Sequence, residues 1–96
     1  TTLFRSVANI HIDKSENEDS YYLIVSDPAG RGAAERLADR LEQKLADYSS
    51  DIRTSARGED VVLSFTADKK PLDKYAAGRL NTEALMEHAE AEGLGS

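Results

Sequence analysis

Ala33-Ala34-Glu35-Arg36-Leu37-Ala38-Asp39-Arg40-Leu41-Glu42-Gln43-Lys44-Leu45-Ala46-Asp47-Tyr48 is the stretch on which the fold turns. Ala34, Leu37, Ala38, Leu41, Leu45 and Tyr48 recur at intervals of three and four residues. That spacing lays one apolar stripe along a helix. Arg36, Arg40 and Lys44 run beside the stripe, while Glu35, Asp39 and Glu42 face outward, where i,i+4 ion pairs can form. Ser49-Ser50-Asp51 ends the helix. A helix with one greasy face needs something flat and apolar to lie on, so the flanking segments decide what that is.

Upstream, residues 21–25 are continuously apolar or aromatic, which suits a central strand covered on both faces. Asp27-Pro28 then signals a helix start, with Asp as N-cap and Pro at the first helical position. Gly30 and Gly32 weaken that first turn and allow a later start. Residues 3–12 alternate, with Phe4, Ala8, Ile10 and Ile12 on one face and Arg5, Asn9 and His11 on the other together with Leu3 and Val7, and read as a half-buried strand. The polar run 13–20 is a loop, so the first two strands form an antiparallel hairpin.

Downstream, residues 52–57 alternate again, Ile52, Thr54 and Ala56 against Arg53, Ser55 and Arg57. Gly58-Glu59-Asp60 turns the chain into a partner strand with Val61, Leu63 and Phe65 on one face, a second hairpin. Asp68-Lys69-Lys70-Pro71 breaks that strand and opens a helical segment, with Leu72, Tyr75, Ala76 and Leu80 on one side. Gly78 interrupts it, and Asn81-Thr82 can cap a fresh start. Leu85, Met86 and Ala89 share one face of the restarted helix, and Gly93 stops it.

The order β-β-α-β-β-α predicts an α+β fold. Its economical form is a two-layer sandwich, a four-stranded, mostly antiparallel sheet with helices on one face. The passage 21–52 is expected to be a right-handed crossover if its two strands run parallel. The 96 residues make a single domain, with 81–96 as a candidate separate C-terminal helix. The absence of an initiator Met at Thr1 and the ending Gly93-Leu94-Gly95-Ser96 suggest a piece of a larger protein.

Composition narrows the function. Hydrophobic residues are 40% and charged residues 31%, a globular balance. A net charge of −6 works against sequence-independent nucleic-acid binding, which needs cations to displace phosphate counterions. The absence of cysteine excludes disulfides and thiolate chemistry, and a reducing cytoplasm is the expected setting. No apolar run approaches the ~18 residues of a membrane span.

The most suggestive local feature is Ser26-Asp27-Pro28-Ala29-Gly30-Arg31-Gly32. Ser26, Gly30, Arg31 and Gly32 form a candidate anion site, because glycines bare backbone N–H groups, the helix dipole favours negative charge and Arg31 can grip a phosphate. Residues 24–37 resemble the strand-loop-helix opening of the diacylglycerol kinase and sphingosine kinase catalytic fold, where an Asn-Pro is closely followed by a glycine-rich turn. Asp27 stands where that family has Asn, the loop is shorter, and no Gly-Gly-Asp-Gly motif is present downstream. No residue role is carried over.

Arg5, Arg53 and Arg57 form a candidate nucleic-acid patch on the sheet face, with Tyr21 or Tyr22 beside them. The acidic total and the lack of an aromatic pair at defined spacing count against it. His11 and His88 read as ordinary surface histidines with no ligand at metal spacing. Glu16, Glu18 and Asp19 read as a solvated acidic loop, since the spacing and turn glycine of a calcium loop are missing. Glu83, Glu87, Glu90 and Glu92 make the last helix acidic, either a solvated face or an arm that docks on a partner. No catalytic, metal or cofactor signature emerges. A non-catalytic protein-interaction or assembly domain therefore ranks first, with a protein partner or a homo-oligomer. A phosphate- or nucleotide-binding module comes second, and RNA binding on the sheet face third.

Overall fold

A computed structural model describes residues 8–14 and 20–91. The elements run in the order β1 (Asn9–Lys14), β2 (Ser20–Ser26), α1 (Arg31–Leu45), β3 (Ile52–Arg57), β4 (Asp60–Thr66) and α2 (Lys74–Ala91). The four strands form one sheet in the order β1-β2-β4-β3, and each neighbouring pair is antiparallel. The α+β sandwich with both helices on one face is thus present. β2 and β3 each run antiparallel to β4, so they are parallel to one another with β4 between them. The passage through α1 consequently crosses over β4 rather than joining adjacent strands.

The apolar stripe of α1 supplies half the core. Ala33, Ala34, Leu37, Ala38, Leu41 and Leu45 are buried. They meet Leu23 and Val25 of β2 and Val61, Leu63 and Phe65 of β4. Every second residue of these strands faces the helix because side chains alternate along a strand. β2 lies inside the sheet, but it is covered on one face only. Leu23 and Val25 are buried, while Ile24 is half-buried and Tyr22 is 45% exposed. The expectation of cover on both faces came from counting apolar residues. Tyr22 and Ile24 are instead apolar side chains on the side with no helix.

Tyr21 belongs to the covered side. Its ring stacks on Phe65 at 5.5 Å, and its hydroxyl donates to the Leu72 carbonyl at 2.8 Å. That bond ties the α2 approach to the sheet. Asp73 then caps α2, its Oδ1 accepting from the Ala76 N–H at 2.8 Å. α2 runs unbroken through Gly78 and Asn81-Thr82, so the break expected there does not occur. Its buried residues are Ala77, Ala84 and His88, whereas Met86 is 65% and Tyr75 76% exposed. Small side chains let α2 approach closely, and the stripe expected through Tyr75 and Met86 is displaced around the helix.

β3 and β4 are joined by the two-residue loop Gly58-Glu59, with Arg57 opposite Asp60. Gly58 has φ +62° and Glu59 does not enter positive φ, the pattern of a type II′ turn.

Candidate functional site: the strand-helix turn and the bare side of the sheet

The turn between β2 and α1 is closed by its own side chains. Asp27 does not cap α1 as expected. Its Oδ1 accepts from the Ala29 N–H at 2.8 Å, and its carbonyl accepts from the Gly30 N–H at 3.0 Å. Pro28 fits the second position of such a turn because its φ is preset. Gly30 is the N-cap, at φ 114° and ψ −179°, a region essentially reserved for glycine, and no side chain caps the helix. The carbonyl of Gly30 starts the helical ladder at Ala34 N–H, 3.1 Å away.

The second oxygen of Asp27 lies 2.6 Å from Nε2 of His88, and both side chains are only 1% exposed. His88 is therefore not the surface histidine expected from the sequence. It reaches from α2 to the start of α1 and locks three elements together. Its Nδ1 is buried and makes no hydrogen bond among the described residues. The pair is separated by 61 residues, so no local pattern announces it. One signal was present, since Ala77, Ala84 and His88 fall on a single helical stripe, marking His88 as inward-facing.

The candidate anion residues fall around this turn. Ser26 ends β2, opposite Asn9. Arg31 is exposed and pairs with Glu35 at 3.6 Å, an i,i+4 contact on the helix surface. A Cβ placed on Gly30 would sit 3.7 Å from Oε2 of Glu59. The Asp27 carboxyl is buried beneath this terminus, and a phosphate approaching it would meet the carboxylate of Glu59.

The sheet face away from the helices carries Asn9, His11 and Asp13 of β1, Tyr22 and Ile24 of β2, Val62 and Ser64 of β4, and Arg53, Ser55 and Arg57 of β3. Tyr22, Ile24, Ser55, Arg57 and Val62 line a shallow groove of about 420 Å³. Arg53 and Arg57 do share this face with Tyr22, whereas Tyr21 lies beneath it and Arg5 falls outside the described residues. Acidic groups dilute the patch. Arg53 lies 3.7 Å from Asp51, and Arg57 faces Asp60 across the hairpin. His11 is exposed, 3.3 Å from Asp13.

β3 differs from the other strands in having an unoccupied side. Ile52 is half-buried and every other residue is exposed, including Thr54 and Ala56, which point to the helix side. α1 lies over β2 and β4 and touches β3 only at its margin. β3 is thus an edge strand with neither a bulge nor a proline, and among the described residues no helix covers it.

The acidic α2 docks partly on its own chain. Glu87 accepts from Lys44 Nζ at 2.8 Å and lies 3.8 Å from Arg40, joining α2 to the basic flank of α1. The Lys44 hydrogen bond holds the Glu87 carboxyl below its ordinary range, and Coulombic attraction to Lys44 and Arg40 adds to it against a desolvation cost. Glu83 pairs with Arg79 at 3.6 Å. Glu16, Glu18, Asp19 and Glu92 lie outside the described residues. Among the described residues no group of His, Asp and Glu is arranged to hold a metal ion, and no helix is long and apolar enough to cross a membrane.

No family model, no curated protein and no solved structure matches the chain. The kinase likeness of residues 24–37 stands on that segment alone.

Proposed function

We propose that the chain is a non-catalytic interaction and assembly domain, part of a larger protein or complex, that works by extending its sheet onto protein. A cytoplasmic setting suits a chain without cysteine. The observation that carries the reading is β3, an edge strand exposed on both faces beside a sheet surface with Tyr22, Ile24 and Val62 at its centre. An unpaired strand edge is a row of free N–H and C=O groups, and natural proteins commonly cover or interrupt such a row. Strand addition uses it for affinity, with side chains on alternate faces supplying specificity.

The test is the mass in solution, by light scattering over a series of concentrations. Assembly predicts a mass rising above that of the 10.5 kDa chain. A mass fixed at the monomer up to the highest concentration overturns it.

A further inference from the structure

We infer that the partner of β3 is a second copy of the same strand, paired antiparallel about a two-fold axis at Thr54. This rests on the reading of the chain as an assembly domain and adds to it the occupant, the edge and the register.

The backbone decides which residues are available. The two-residue turn makes Arg57 and Asp60 the hydrogen-bonded closing pair of the hairpin. Counting back by twos, Arg57, Ser55 and Arg53 spend their peptide groups on β4. Ile52, Thr54 and Ala56 therefore aim theirs at the open edge. Two copies of an antiparallel strand related by a two-fold axis must also set opposite one another residues from the same face of the sheet. The axis can then pass only at a residue, not between residues.

Charge and overlap together choose among those axes, since an axis at Ile52 also sets Asp51 against Arg53 but overlaps only the strand ends. With the axis at Ser55, Arg53 faces Arg57 of the second copy, and the clash occurs twice by symmetry. With the axis at Arg53, that residue faces itself. With the axis at Ala56, the strands overlap only at their ends. With the axis at Thr54, Ile52 faces Ala56, Arg53 faces Ser55, and Asp51 faces Arg57, each twice. Two like-charge contacts are replaced by two opposite-charge ones. The outward-pointing peptide groups of Ile52, Thr54 and Ala56 in both copies then form about six inter-chain backbone hydrogen bonds. On the helix side, exposed Thr54 and Ala56 gain cover beside half-buried Ile52. The product is one eight-stranded sheet. An edge this short buries less than the ~1,600 Å² of a standard interface, so the dimer forms in a concentration-dependent way.

Cysteine trapping reads the register directly, because the chain has no cysteine of its own. In the proposed dimer the two Thr54 Cα atoms are about 5.5 Å apart, within disulfide range. Under mild oxidation Thr54→Cys is expected to give covalent dimer at least about tenfold faster than Ser55→Cys. Faster trapping through Ser55→Cys overturns the register. Failure of both variants, with a dimer mass still seen by light scattering, overturns pairing through β3 and leaves the assembly reading standing. A monomer mass removes both.

A charge exchange tests the same register without cysteine. Asp51→Arg alone and Arg57→Asp alone are each expected to weaken association about tenfold or more, and the double variant to restore it. No restoration overturns the Asp51 to Arg57 contact. Asp60 faces Arg57 within the chain, so the melting temperature of each variant at low concentration separates hairpin damage from interface damage.

Discussion

β4 and β3 are neighbours joined by a two-residue turn, yet they live in different environments. β4 buries Val61, Leu63 and Phe65 against α1, while β3 presents residues of the same alternation and buries none fully. The cause lies in the helix layer. α1 lies over β2 and β4, α2 packs beside it toward β1, and among the described residues neither helix reaches across β3. A strand's pattern states which way its residues point. It does not state whether anything is waiting there. That second fact belongs to the placement of the helices, and here it separates a core strand from a strand with a bare edge.

The contrast can be broken from its buried side first. Replacing His88 with Ala leaves the carboxylate of Asp27 without its partner and opens a hole at the junction of α1 and α2. A loss of about 3 kcal/mol or more in denaturant unfolding is expected. Leu63→Ala in β4 is expected to cost about 2–5 kcal/mol, because the site sits between α1 and the sheet with no room to relax. Thr54→Ala in β3 is expected to stay within about 0.5 kcal/mol at low protein concentration, since the residue is exposed. Equal costs for the two strand variants would mean that β3 is covered as β4 is.

A smaller effect concerns the corner where α1 gives way to β3. Asp68 accepts from the Ser50 backbone N–H at 2.9 Å and from the Ser50 hydroxyl. These bonds hold its carboxyl below the usual aspartate range, the hydroxyl bond contributing most. A folded-state value lowered below the unfolded one stabilises at higher pH, and the contribution disappears as pH falls through the folded value. Wild type is thus expected to exceed Ser50→Ala in stability near neutral pH. The gap should close as the pH falls below about 4. Parallel curves down to strong acid would remove Asp68 from the account.

Much of the fold was readable from residue spacing. The stripe from Ala34 to Leu45, both hairpins and the single-face helix layer come from periodicities of 3.6 and 2. What spacing misjudged depended on partners distant in sequence. Tyr22 and Ile24 looked like core because apolarity does not record which face a helix covers. Tyr75 and Met86 looked inward-facing, but the approach of α2 is set by Ala77, Ala84 and the contact of His88 with Asp27. Asp27 looked like an N-cap because Asp before Pro commonly is one, and its role was decided by a histidine on another helix. The surface proposed for interaction was half visible. The alternation of residues 52–57 placed Arg53 and Arg57 on one face, while the bareness of the edge emerged only with the helices in place.

The most direct measurement is amide hydrogen exchange in β3, resolved residue by residue and repeated over a range of protein concentrations. Exchange of Arg53, Ser55 and Arg57 is predicted to be slow throughout, because their amides bond to β4. Exchange of Ile52, Thr54 and Ala56 is predicted to be fast in dilute solution and to slow together as the dimer forms. The same fast rates for these three amides at every concentration would contradict the self-pairing of β3.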